Sequence, residues 1–205
     1  MKTSSEIITV CKRAAKASGY SWGISEEIGK NINLLEVFGI SGIENFNHFL
    51  KDDKREAWVI NKKIDELNSK DEQPLCPIYL GINFLDHANK IEKLEKITIN
   101  NLAYPLLFLP FIQRVSKIIS KGIQILIDDK IELELFLNNT LASNTNIRET
   151  IIENASKIII TVLENQDSFS SETWSELYDL STKTFVEESE RLKSSAAGAG
   201  LVDND

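Results

Sequence analysis

The hydrophobic period of this chain changes part-way along its length, and that change restricts the fold more than any other feature. From Ser4 to Ala17 the apolar residues Ile7, Ile8, Val10, Cys11, Ala14 and Ala15 recur at three- and four-residue steps. That is the stripe of an amphipathic helix, with Ser4 or Ser5 as its cap and Gly19 as its stop. A second helix is expected from Ser25, with Glu26 and Glu27 in its first turn, Ile28, Ile32, Leu34, Leu35 and Phe38 on its inner face, and Gly39 at its end. Shorter helices are expected at Ile43 to Leu50 and Ala57 to Leu67, then a polar loop from Asn68 to Gln73 and a buried helix within Cys76 to Asn89.

Beyond that point apolar and polar residues alternate. Ile97 and Ile99 within Glu95 to Asn100, the run Gly122 to Ile127, and Ile131, Leu133 and Leu135 within Lys130 to Phe136 read as strands, the last two joined by Asp128-Asp129 as a hairpin. Lys157 to Leu163 is a β-branched run and a fourth strand. Helices are expected from about Leu106 to Ser120, and from the cap candidate Ser171 onward with Trp174, Leu177 and Leu180. Helices first and strands later give the α+β class: an N-terminal helical region followed by a small, mainly antiparallel sheet with packed helices. The boundaries expected are one α+β domain over 1–192 and a glycine-rich tail over 193–205.

Composition narrows the function. A chain of 205 residues buries roughly 70% of its unfolded surface, enough to fold without a metal or disulfide. The net charge of -8 repels phosphate backbones and anionic lipid, and the scattered basic residues form no aromatic-interleaved stripe, so neither nucleic acid nor membrane is an expected partner. The longest apolar stretch, Leu102 to Ile112, is interrupted by Pro105 and Pro110 and is too short to span a bilayer. Two cysteines without a metal or redox spacing suit a reducing compartment, and the start Met1 to Glu6 lacks the pattern of a signal peptide; a cytoplasmic location is expected. Two histidines rule out a multi-histidine metal site, no motif points to a cofactor, and phosphate-loop, dinucleotide, serine-hydrolase and zincin signatures are missing.

Some residue types still carry chemistry. Asp86-His87 would be an acid–base pair if the carboxylate oriented the imidazole, but neighbours on a helix point to different faces. Cys76, between Leu75 and Pro77, has no base placed beside it, and burial is the simpler reading. Glu26 and Glu27 satisfy a helix dipole without further purpose, Glu27 being the less secure of the two in that role. The turn Gly19-Tyr20-Ser21-Trp22-Gly23 holds two aromatics where a connection needs none. Near the end of the chain, the run Ala196-Ala197-Gly198-Ala199-Gly200, ahead of Asp203-Asn204-Asp205, is neither charged like a disordered end nor polar like a solubilising one.

Across these segments the sequence resembles an uncharacterised bacterial family, domain of unknown function 3726. The resemblance is carried by Lys12-Arg13-Ala14-Ala15 with Gly19, Trp22-Gly23, Glu26-Glu27 and Gly29, by Leu75-Cys76-Pro77 with Gly81 and Asp86, and by Tyr104-Pro105-Leu106-Leu107 with Pro110-Phe111. Glu188, Ser189, Arg191 and the Gly-Ala-Gly-Leu-x-Asp-Asn-Asp ending complete it. Phe185 stands where a tyrosine is usual, and Lys193-Ser194-Ser195 precede the glycines. The resemblance implies that the Trp22-Gly23 turn and the tail are shared features of the family; it brings no reaction, substrate or cofactor.

The expectation is a small-molecule site in which the tail folds over the Trp22-Gly23 turn and the Cys76 to Asp86 segment. Its candidate ligand-binding residues are Trp22, Glu27, Asp86, Arg191, Gly198, Gly200, Asp203, Asn204 and Asp205. Glycine amides would face an anionic group, and the Asp and Asn side chains an amine, a hydroxyl or a hard cation. Two alternatives stand beside it: a non-catalytic accessory subunit whose tail docks into a partner enzyme, and a homodimer whose tails exchange.

Overall fold

The computed structural model describes residues 2–52, 66–68, 73–164 and 168–185. These fall into two compact units, 1–165 and 166–205. The larger unit begins with three helices, α1 (Ser4–Ala17), α2 (Trp22–Val37) and α3 (Gly42–Lys51). The cap of α1 is Thr3 rather than Ser4 or Ser5. Its hydroxyl accepts from the Glu6 amide while the Glu6 carboxylate accepts from the Thr3 amide, a reciprocal capping box that Ser4 and Ser5, with Ile7 and Ile8 three residues on, could not make.

Both α1 and α2 stop in the same way. Gly19 and Gly39 adopt left-handed φ values of 99° and 73°, and the next residue turns inward, Tyr20 donating to the Ala15 carbonyl and Ile40 to that of Leu35. The start of α2 differs from the sequence expectation. Ser21 caps it by accepting from the Ile24 amide, so Trp22 and Gly23 form the first helical turn and Glu26 and Glu27 lie beyond it.

The remaining elements are β1 (Glu66–Leu67), α4 (Pro77–Asp86), α5 (Ala88–Ile91), β2 (Lys96–Ala103), a 3-10 turn (Pro105–Phe108), α6 (Leu109–Ile119), β3 (Ile123–Ile127), β4 (Ile131–Phe136), β5 (Thr140–Ser143) and β6 (Asn154–Val162). The fold is α+β. Its sheet runs β1-β2-β6-β3-β4-β5, antiparallel throughout except for the parallel pair β1–β2. The expected helix at Ala57 to Leu67 ends as strand β1, and its earlier part lies outside the described residues. So do most of the expected loop at 68–73 and the tail from 186 onward.

Register aligns the isoleucines into rows. Ile97 pairs with Ile160, Ile160 with Ile125 and Ile125 with Leu133; the next row joins Ile99, Ile158 and Ile127. All seven are buried, so a one-residue slip of any strand would turn its half of a row to water. The helix α6 lies against β3 and β4 and also meets α2 and α4. Gly81 makes the α4–α6 approach possible: a Cβ there would stand 2.2 Å from the Phe111 ring. Gly29 does the same for α1 and α2, with a Cβ position 2.6 Å from the Ile8 carbonyl oxygen.

The smaller unit contributes α7 (Ser171–Thr182), capped by Ser170, whose hydroxyl accepts from the Thr173 amide.

Candidate functional site

The turn between α1 and α2 is built from its two ends. The inward turn after Gly19 buries Tyr20 against Tyr79 of α4, ring centroids 5.8 Å apart, which fixes where α2 starts. Trp22 then falls on the outer side of the first turn of α2 and is 59% exposed. Its ring is flanked by two ammonium groups from α1, with Lys12 Nζ 5.9 Å and Lys16 Nζ 5.6 Å from the centroid. Lys16 also donates to the Tyr20 carbonyl. Beside Trp22, no described residue lies within 4 Å of the position a Cβ on Gly23 would take. No acidic residue lies in this first turn, so the positive end of the α2 dipole has no carboxylate of its own there.

Ion pairs continue along α2. Glu26 meets Lys30 at 3.0 Å and Lys12 at 3.7 Å, and its carboxyl is held below the usual range first by the Lys30 hydrogen bond and charge, then by Lys12. Glu27 pairs with Lys30 and with Arg114 of α6, so this candidate ligand residue ties two helices together. Trp22 and Glu27 thus share one continuous polar surface. Asp86 is elsewhere: it is exposed at the last position of α4, seven residues and so about 10 Å along the helix from Tyr79. His87 faces its own helix, Nδ1 lying 2.9 Å from the Asn83 carbonyl oxygen, so the imidazole is oriented by backbone rather than by Asp86.

Neither cysteine is poised as a nucleophile. Cys76 is fully buried at the start of α4. The Cys11 thiol is pushed up to about 11 by burial and then by the Glu36 charge, which disfavours the thiolate.

A second cluster escaped the sequence reading. Tyr104 is fully buried with φ 41° and ψ 60°, a left-handed conformation that costs a bulky residue on the order of 1–2 kcal/mol and that the following Pro105 disfavours further. Three contacts hold it there. Its amide donates to the Glu153 carbonyl, its hydroxyl donates to Asp52 Oδ2 at 2.5 Å, and its ring meets Phe49 edge-on with centroids 5.7 Å apart. Burial first, then the Asp52 hydrogen bond and charge, raise the phenol well above its ordinary value, so Tyr104 is a fixed donor rather than a base. It latches the end of α3 to the end of β2. The one sequence signal was Tyr104-Pro105 itself.

Residues 3–78 match the model of a family described as a protein of unknown function, DUF3726. The DUF3726 stretch takes in α1, α2, α3 and β1 and ends just inside α4. Within it, Gly19 is explained by its φ and Gly29 by the close approach of α1, whereas Gly23 has neither reason. No curated protein sequence and no solved structure matches the chain. The candidates Arg191, Gly198, Gly200, Asp203, Asn204 and Asp205 lie beyond the DUF3726 stretch and outside the described residues.

Proposed function

We propose that this protein binds an anionic small molecule at the turn joining α1 to α2. Trp22 offers a flat contact, and Lys16 and the amino end of α2 offer the charge, with Lys12, itself paired with Glu26, beside them. The observation that carries the reading is Gly23. Glycine is unfavourable relative to alanine in a helix, by up to about 1 kcal/mol in the interior and less in the first turn, and here no contact among the described residues requires it. A bare backbone beside an exposed tryptophan is the surface that close approach by a ligand would use.

The tail enters the proposal on its sequence chemistry. Gly198 and Gly200 supply unhindered amides, Arg191 a bidentate cation, and Asp203, Asn204 and Asp205 acceptors for an amine or hydroxyl. The test is a thermal-shift screen of small carboxylates and phosphate esters against the full chain, Trp22→Ala and a chain lacking 198–205. A compound that raises the melting temperature of the full chain and not of Trp22→Ala supports the turn as the site. The reading fails if no compound shifts the full chain, or if the shift survives Trp22→Ala. Loss of the shift on tail deletion, with the melting temperature unchanged, adds the tail to ligand binding. A shift that survives tail deletion, together with a partner enzyme lost from co-purification, favours the accessory-subunit alternative.

A further inference from the structure

Trp22 and Glu26 stand one helical turn apart on the same face of α2, and one cation touches both. Lys12 reaches across from α1, its ammonium 5.9 Å from the Trp22 centroid and 3.7 Å from Glu26 Oε2. Glu26 Oε1 meets Lys30 at 3.0 Å, so each carboxylate oxygen turns to a different lysine and the group is held beside the indole. The second ammonium at the ring is placed differently. Lys16 donates to the Tyr20 carbonyl, a neutral group, and meets no carboxylate among the described residues. Of the two cations at Trp22, one is answered by Glu26 and the other is not.

That difference limits what the turn can hold. An anion drawn to Lys12 and Lys16 comes within about one helical turn, roughly 6 Å, of the Glu26 carboxylate. Repulsion there grows in proportion to the charge the ligand carries. A carboxylate carries one negative charge, whereas a phosphate monoester carries nearly two above neutral pH. We infer that Glu26 is a specificity-determining residue that tunes the α1–α2 turn to singly charged anions such as carboxylates and discriminates against phosphate monoesters. The inference rests on the ligand reading of this turn and names its substrate class. Glu26 acts through space and through Lys12 rather than by touching the ligand.

The test uses two aromatic probes of similar shape at about pH 8 and about 0.1 M ionic strength: benzenesulfonate, with one charge, and phenyl phosphate, with nearly two. Each is titrated into the full chain while the Trp22 indole N–H resonance is followed, that resonance being assigned by its loss in Trp22→Phe. The parent should bind benzenesulfonate at least as tightly as phenyl phosphate. Glu26→Gln removes one charge about 6 Å away across water, screened over a Debye length of about 10 Å, and should tighten the sulfonate about twofold. The phosphate should gain about fourfold, the square of that factor, because its charge is double. Glu44→Gln removes the same charge from α3 beside the far end of α2, about 20 Å along that helix from Trp22, and should change neither. Tighter binding of phenyl phosphate by the parent, equal factors for the two probes, no change in either, or the same gains in Glu44→Gln would each overturn the inference and leave the ligand reading standing. If neither probe moves the Trp22 resonance, in the parent or in Glu26→Gln, the turn is not an anion site and both readings fall.

Discussion

Gly81 and Gly23 sit on helices of the same unit and are used in opposite ways. A Cβ at Gly81 would clash with the Phe111 ring, at 2.2 Å from Cγ, whereas one at Gly23 would meet no described residue within 4 Å. The first glycine is a condition of the α4–α6 packing; the second is a cost that the fold does not require. A glycine within a helix can therefore mean two things, and only contact geometry separates them. Gly29 and Gly42, whose Cβ positions lie 2.6 Å and 2.7 Å from their neighbours, side with Gly81.

The packed side of this contrast is the easiest to break. Gly81→Ala should cost about 3 kcal/mol of unfolding free energy in urea titration, because Phe111 is fully buried and cannot swing aside. A loss below about 1 kcal/mol would mean that α4 and α6 slide apart freely, and the contrast with Gly23 would collapse.

Alkaline pH tests the α1–α2 seam without a steric change. The Cys11 thiol is raised in the folded chain from 9.0 to about 11, chiefly by burial. Below pH 9.0 it is neutral in both states and its contribution is fully present; as pH rises toward about 11 the unfolded chain ionises first and stability falls. Between those limits the wild type should lose up to roughly 2 kcal/mol more than Cys11→Ala does, measured by urea titration at each pH. Equal alkaline losses in the two chains would place Cys11 in contact with water. At the other latch, Tyr104→Phe should cost about 1–2 kcal/mol by withdrawing the donor from Asp52, again by urea titration.

How much of this was legible beforehand follows from the range of the interactions involved. The bounds of α1 and the stops at Gly19 and Gly39 are local, set by periodicity and a left-handed residue, and they read directly. The hairpin at Asp128-Asp129 is equally local, both residues taking the positive φ that its short turn demands. Trp22 and Gly23 looked like loop because the acids after them looked like a first turn; the Ser21 cap decided otherwise. Strands β1 and β5, two and four residues long at the sheet edges, are too short to show a period. Tyr104 and Glu27 depend on partners 52 and 87 residues away, which no local pattern encodes. For the candidate site, sequence found the turn and not its chemistry: the lysines that flank Trp22 come from α1, one helix earlier.

The smallest expected effect bears most directly on function. Gly23→Ala fills open space in a helical turn, so it should stabilise the protein by about 0.5–1 kcal/mol, seen as a small rise in melting temperature. At Gly81 the same change is expected to destabilise, and that opposition of sign is the comparison in its sharpest form. If the bare backbone at Gly23 serves a ligand, the stabilised variant should bind a compound found by the thermal-shift screen about tenfold more weakly, because the added methyl occupies the surface the ligand approaches. Greater stability with weaker binding would show that the glycine is kept for the ligand against the interest of the fold. Greater stability with unchanged binding would leave Trp22 and its two lysines as the site and remove Gly23 from it.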